Sequence, residues 1–193
     1  MLNSGARLRR EPRETAVLLF VGLPPAQEWF RGGGTDSTVT RACRLLLANA
    51  REQAGLIAHF RKPPDSRVVN LEPLSDFRPT CREMVFEHAG LSCFACPGFQ
   101  RLISFLQIRL TIIGFGGFDT GLATTRDGRL RSTPISFVRE AWAEPNGELV
   151  DQQAQDEMHL HGATFLGLEE MIQPMNLAKG KMQESRRSGH SAS

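Results

Sequence analysis

No stretch of this chain approaches the ~20 consecutive apolar residues that a helix needs to cross a bilayer, so no membrane partner is expected. The sequence also lacks a basic body. The net charge is only +2, and it is unevenly placed. Residues 1–13 carry Arg7, Arg9, Arg10 and Arg13 against Glu11, and residues 178–193 carry Lys179, Lys181, Arg186 and Arg187 against Glu184. With +3 in each tail, the body from 14 to 177 is left at −4. Binding to phosphate backbones needs a basic face on the folded part, so no nucleic-acid partner is expected. Cysteines are few: Cys43, Cys81, Cys93 and Cys96. A chain of 193 residues needs no disulfides to hold its core, which fits a cytoplasmic protein. The Arg-rich start before Ala16–Leu23 imitates a secretory leader, but Glu11 and Glu14 interrupt the positive region and no small-x-small cleavage site follows. No internal repeat is present. The glycine run Gly32-Gly33-Gly34-Thr35-Asp36 lacks the Lys-Ser/Thr that a phosphate-binding P-loop requires.

What is present is ordinary globular composition, 40% hydrophobic and 23% charged, with a regular alternation of elements. Six short β-rich apolar segments recur: Ala16–Val21, Gly55–Phe60, Glu83–Phe86, Leu110–Phe115, Ile135–Val138 and Thr164–Leu168. Continuous apolar runs suit strands covered on both faces, as in a parallel sheet. Between the first two, Val39, Cys43, Leu46, Leu47 and Ala50 follow helical spacing. Asp36 or Ser37 is the expected N-cap of that helix and Gly55 its stop. Pro97 suits the first turn of a second helix with Phe99, Leu102, Ile103 and Leu106 as its buried stripe. Further helices are expected from Asp119 to about Leu130, over Asp151–His161, and from Glu169 to about Met175. The Pro-rich stretch Arg61–Arg82 reads as a surface loop. Strand–helix alternation implies an open three-layer α/β/α sandwich around a six-stranded parallel sheet, occupying residues 14–177, with disordered basic tails at 1–13 and 178–193.

The most informative stretch is Ile112 to Gly128, where an apolar strand runs into a Gly-rich turn and directly into a helix. α/β enzymes expose nucleophiles on such turns, because the first helical N–H groups favour a developing negative charge. The segment resembles the catalytic elbow of isochorismatase-like cysteine hydrolases, in which a glycine is followed three residues later by Thr and, three after that, by the nucleophilic Cys. Gly114 matches the glycine, Gly117 stands at the Thr and Thr120 at the Cys. The likeness spans residues 14–172. Thr15–Phe20 is similar to the family's opening strand, Gly55–Phe60 to its second, Ser92-Cys93-Phe94 to its Ser-Ala-Phe, and Phe137–Ala143 to its late strand ending in Asp-Ala. The resemblance implies that family's Rossmann-like fold, with no cofactor and with pairing through surfaces beside the crevice. Trp29, Phe30 and Trp142 are expected to be exposed aromatics available for such a homo-oligomer.

The same resemblance places the family's proton-accepting Asp on Val21 or Gly22, and its Lys on Glu87 or His88. Neither of the first two moves a proton, and Thr120 is no thiol. The expectation is therefore a relative that has lost cysteine-hydrolase catalysis and binds a small molecule or partner. The alternative is a hydrolase of small amides or esters rebuilt around Thr120, His88 and Glu87, with Asp36 reaching inward as base. Thr120 or Asp119 is expected simply to cap its helix. The pocket is expected to be lined by Gly22, Gly116, Gly117 and Asp119, with His59 on its rim, since open α/β sheets bind ligands at their carboxyl edge. Cys93-Phe94-Ala95-Cys96, with Cys81 and His88, offers zinc-ligand types but not two tight pairs on turns, so packed thiols and no metal are expected. His159 and His161 lie two apart, which on a helix does not put both on one face.

Overall fold

A computed structural model describes residues 15–22, 37–61, 75–87 and 89–172. Six strands form one sheet in the order β3-β2-β1-β4-β5-β6, every neighbouring pair parallel. They are β1 (Thr15–Val21), β2 (Leu56–Arg61), β3 (Met84–Glu87), β4 (Ile108–Gly114), β5 (Ile135–Trp142) and β6 (Ala163–Leu166). The run that imitates a leader is thus the inner strand β1, with Val17–Val21 against Leu56–Phe60 on one side and Thr15–Val21 against Ile108–Gly114 on the other. The basic tails lie outside the described residues.

Strand periodicity builds two cores. Val17, Leu19 and Val21 point to one face of the sheet, Leu18 and Phe20 to the other. The first face is covered by α2 (Pro97–Phe105), α3 (Gly117–Leu130) and α4 (Gln152–Leu160), which contribute Phe99, Leu122 and Met158. The second is covered by α1 (Thr38–Glu52), through Val39, Ala42, Cys43, Leu46 and Leu47. Strand order reverses between β1 and β4, and the carboxyl edge at such a reversal is where open α/β sheets bind their ligands.

Several local expectations are corrected. Ser37 does cap α1, its side chain accepting from Thr40 N–H. The left-handed residue that ends α1, however, is Ala54 (φ 52°), one place before Gly55. Leu106 leaves α2 and is exposed. α3 starts at Gly117 with Gly116 as N-cap, so Thr120 is a buried fourth residue of the helix and neither it nor Asp119 is the cap. The loop expected over Arg61–Arg82 returns to the core, because Phe77, in a 3-10 turn (Ser75–Phe77), is fully buried and stacks on Phe20 at 5.3 Å. Residues 62–74 lie outside the described set, as do those after 172.

Trp142 is buried, not an exposed interface aromatic. Its pairing explains why. The β4–β5 register shifts between Ile112 and Gly114, the first facing Phe137 and the second Trp142. Simple alternation from Phe137 sends Trp142 to the opposite face. The shift returns it to the same core, with the two rings 4.9 Å apart. Trp29 and Phe30 lie outside the described residues.

Candidate functional site

The crevice edge is built by the ends of β1 and β4 and the start of α3. Phe115 N–H donates to Val21 C=O at 2.7 Å, and Gly22 N–H to Phe60 C=O at 2.9 Å. Gly22 has φ +73°, and a Cβ there would press on Phe115 C=O, so the backbone leaves β1 in a conformation that favours glycine. At Gly116 the position of a missing Cβ is enclosed by the Trp142 ring, Val21 Cγ1 and Thr120 Cγ2. Val21 faces the elbow, and Gly22 turns away from the sheet. The elbow is therefore lined by an isopropyl group, an indole and the methyl of Thr120.

The first amides of α3 are already engaged. Gly117 N–H donates to Ala143 C=O at 3.0 Å, and Phe118 N–H donates to Glu144 Oε1 at 2.9 Å. Gly117 (φ +75°) lies against the Glu144 carboxylate and Pro145, where a side chain would clash. Glu144 is held by a tight turn, its N–H on Glu148 C=O and Gly147 N–H on its own carbonyl, closed by an Ala143–Leu149 bridge. A carboxylate thus occupies the positive end of the helix that follows the elbow. Glu144 was missed from the sequence because its partner lies 26 residues earlier. Only the Glu-Pro-Asn-Gly turn signal hinted at a fixed position.

The structure scatters the other candidates. Asp119 is exposed on the first turn of α3, and Glu87 is exposed at the end of β3, in register with Arg61 of β2. His88 and Asp36 lie outside the described residues. His59, expected on the rim, is 1% exposed and points to the α1 face. There its Nε2 meets Glu83 Oε2 at 2.6 Å, and its ring lies 5.7 Å from Phe20. Even numbering along β2 would not reveal this; a histidine this deep persists because Glu83, 24 residues on, satisfies one nitrogen.

Glu83 is the hub of a network. Its side chain is 4% exposed and accepts from Arg51 Nε at 2.8 Å, Arg51 Nη2 at 3.1 Å and Thr80 Oγ1 at 2.9 Å. Arg51 also donates to the carbonyls of Asp76 and Arg78. Burial works to raise the Glu83 pKa, but the hydrogen bonds from Arg51, His59 and Thr80 and the Arg51 charge outweigh it and hold it at about 2. Burial lowers the pKa of His59 below 6.5 against the pull of Glu83. The carboxylate can only accept, so Nε2 carries the proton, and Nδ1 is left buried without a partner among the described residues.

Among the described residues no three His, Cys, Asp or Glu side chains gather to hold a metal ion. Cys43, Cys93 and Cys96 are buried and Cys81 is exposed. Burial pushes the Cys43 thiol up, and the Cys93 thiol up to about 12. His159 Nδ1 bonds Ala163 C=O at 2.8 Å, and His161 Nε2 meets Arg126 at 3.0 Å.

No family model and no curated protein matches the chain. Solved structures do. An N-carbamoylsarcosine amidase from Thermoplasma acidophilum superposes with TM-score 0.61 at 19% identity, over 80% of this chain and 96% of its own. An isochorismatase from Pseudomonas putida gives 0.63 at 19%, over 83% and 92%. A cysteine hydrolase from Pseudomonas syringae gives 0.66 at 13%, over 88% and 97%. The chain has the isochorismatase-like fold. At these identities the likeness is one of fold, and it covers nearly the whole of each neighbour. Among the described residues no helix is long and apolar enough to cross a membrane.

Proposed function

We propose that the protein is an isochorismatase-fold relative without cysteine-hydrolase catalysis, whose crevice binds a small molecule or a partner subunit. The observation that carries this reading is the Glu144 carboxylate on Phe118 N–H at 2.9 Å. Hydrolysis through a tetrahedral intermediate needs donors free to meet a developing oxyanion. Here one donor beside the elbow is taken by a fixed negative charge, which disfavours a second one nearby. Val21, facing the elbow, supplies no proton acceptor. A threonine hydroxyl is far less acidic than the ~8.5 of a free thiol and needs such an acceptor. On the same reading the protein is cytoplasmic and self-associates, and light scattering at the monomer mass of 21.4 kDa would reject that second part.

Because neighbours of this fold carry the names amidase and isochorismatase, the test is hydrolysis of a panel of small amides and esters by the natural protein and by Thr120→Ala. The expected result is no turnover above background in either, and no recovery in Thr120→Cys. Turnover in the natural protein that disappears in Thr120→Ala would instead establish a rebuilt, threonine-based site.

A further inference from the structure

Cys93-Phe94-Ala95-Cys96 takes no part in the elbow chemistry. Ser92 opens a 3-10 turn over Cys93–Ala95, its hydroxyl accepting from Phe94 N–H, and Cys96 closes the turn as N-cap of α2. Cys96 N–H donates to Cys93 C=O at 3.3 Å. Three residues per turn at ~2.0 Å rise put the first and fourth Cα atoms on one line ~6 Å apart. Disulfides span Cα separations of ~4.4–6.8 Å, so the turn holds this pair at bridging distance. Both side chains enter the core that also holds Phe94 and Phe99. The two thiols are unequally placed. Cys93 is 0% exposed, and its N–H is fixed on Thr124 Oγ1 of α3 at 3.2 Å. Burial pushes the Cys93 thiol up to about 12, with Cys96 close enough to add to the rise. Cys96 is 6% exposed, with exposed Ala95, Pro97 and Gly98 around it. It makes no side-chain cap bond, so α2 begins without the contact that a Ser or Asp would supply, and such an end opens more readily. The other two cysteines differ from both. Cys43 is buried with its Sγ on Ala141 C=O at 3.4 Å, and Cys81 is exposed in the turn before β3.

We infer that Cys93 and Cys96 form a reversible redox modification site, closed to an internal disulfide by a low-molecular-weight disulfide such as oxidised glutathione. The exchange starts at Cys96, the thiol nearer the surface, when the first turn of α2 opens. The Cys96 thiolate attacks one sulfur of glutathione disulfide, whose S–S bond breaks and releases one glutathione. Cys93 then gives its proton to water and attacks the Cys96 sulfur of the mixed disulfide, expelling the second glutathione. Two thiols become one disulfide, and one glutathione disulfide becomes two glutathiones. Cys93 suits the second step because it is held one turn away and does not start exchange itself. Where glutathione is mostly reduced the pair rests as the dithiol, and it closes as the oxidised form accumulates. Once closed, the bond ties the start of α2 to the turn that Thr124 anchors on α3, four residues along that helix from Thr120. A metal is not the alternative, because no third ligand joins the two thiols among the described residues.

The experiment exposes the full, reduced, native chain to excess oxidised glutathione at mildly alkaline pH. After the oxidant is removed, remaining thiols are blocked with N-ethylmaleimide in denaturant and each cysteine is mapped by mass spectrometry over time. Expected are a Cys93–Cys96 peptide lighter by two hydrogens, a glutathione adduct on Cys81, and an unmodified Cys43, with dithiothreitol reversing the first two. In Cys93→Ser the glutathione adduct should stay on Cys96. In Cys96→Ser the remaining Cys93 should react at least about tenfold more slowly than the native pair closes, since it is buried and has lost the thiol that starts the exchange. Cys93 and Cys96 both still free a day after Cys81 has fully reacted would overturn the proposal. Closure no faster than the uptake of glutathione by Cys43 would trace the reaction to global unfolding and overturn it equally. So would a bridge from Cys81 to either thiol. The comparison with Cys43 is made within the native chain, so it does not depend on either variant folding.

Discussion

Replacing Glu83 with Gln tests how the α1 face is held together. The substitution keeps shape and removes one charge. The amide must then present its NH2 group either to Arg51 Nε and Thr80 or to His59 Nε2 and Arg51 Nη2; all of these donate in the native network, and of them only the Thr80 hydroxyl can turn to accept. The magnitude follows from titration. Glu83 falls from 4.5 to about 2 on folding, and at ~1.36 kcal/mol per pKa unit the ionised form contributes about 3 kcal/mol. Breaking a buried ion pair from one side typically costs a similar ~3–5 kcal/mol. Because the folded pKa is the depressed one, this stability is complete above about pH 4.5 and is lost as pH falls toward 2; by linkage about 1 kcal/mol remains near pH 3. His59 adds an earlier loss. Its lowered pKa keeps the buried ring neutral, so stability falls as pH drops below 6.5, where the unfolded chain takes up the proton. Urea unfolding should show Glu83→Gln about 3 kcal/mol less stable at pH 7 with unchanged m, the gap narrowing below pH 4.5. A gap under ~1 kcal/mol at pH 7, or one that does not shrink in acid, would show that the network contributes no net stability.

Gly116→Ala should destabilise by ~1–3 kcal/mol through overpacking against Trp142, Val21 and Thr120, with no strain from its helical φ; a neutral result in thermal unfolding would mean the elbow is open. Phe77→Ala should cost ~3–5 kcal/mol, because its fully buried ring stacks on Phe20 beneath Arg44, and a chemical denaturation midpoint near that of the native chain would refute its core role. A thiol reagent should modify one cysteine, Cys81, in the native protein and all four in denaturant; mass spectrometry showing prompt labelling of Cys93 or Cys96 would contradict their burial. Excess chelator should leave the melting temperature unchanged, since a structural zinc contributes on the order of 10 kcal/mol and its removal would unfold the domain.

The fold was legible because its signal is repetitive. Each strand is a short apolar run covered on both faces, and six of them alternate with helices whose apolar positions recur at 3.6 residues. What failed were local features set by tertiary contact. Gly55 is the natural helix stop by composition, yet Ala54 takes the left-handed place while Gly55 N–H bonds Ala50 C=O at 2.9 Å. Trp142 follows a bulge that no alternation pattern contains. Phe77 stands in a stretch whose prolines argue for loop, and its burial depends on Arg51 pinning the carbonyls of Asp76 and Arg78.

The candidate site divides along the same line. The elbow itself, with Gly114, Gly116, Gly117 and Thr120, is contiguous in sequence and could be found there. The groups that decide its chemistry come from elsewhere: Val21 from a strand end where a one-residue ambiguity mattered, and Glu144 from a turn with no visible link to α3. Both are placed by the sheet, Val21 by pairing with Gly114 and Glu144 by the bonds of Ala143 with Gly114 and Gly117. Once these are fixed, the elbow meets a hydrocarbon wall on one side and a carboxylate on the other. A helix N-terminus that already holds its anion has little left to offer an oxyanion. On the proposed reading, that competition is what lets the turn geometry of a hydrolase fold stand in a chain that does not hydrolyse.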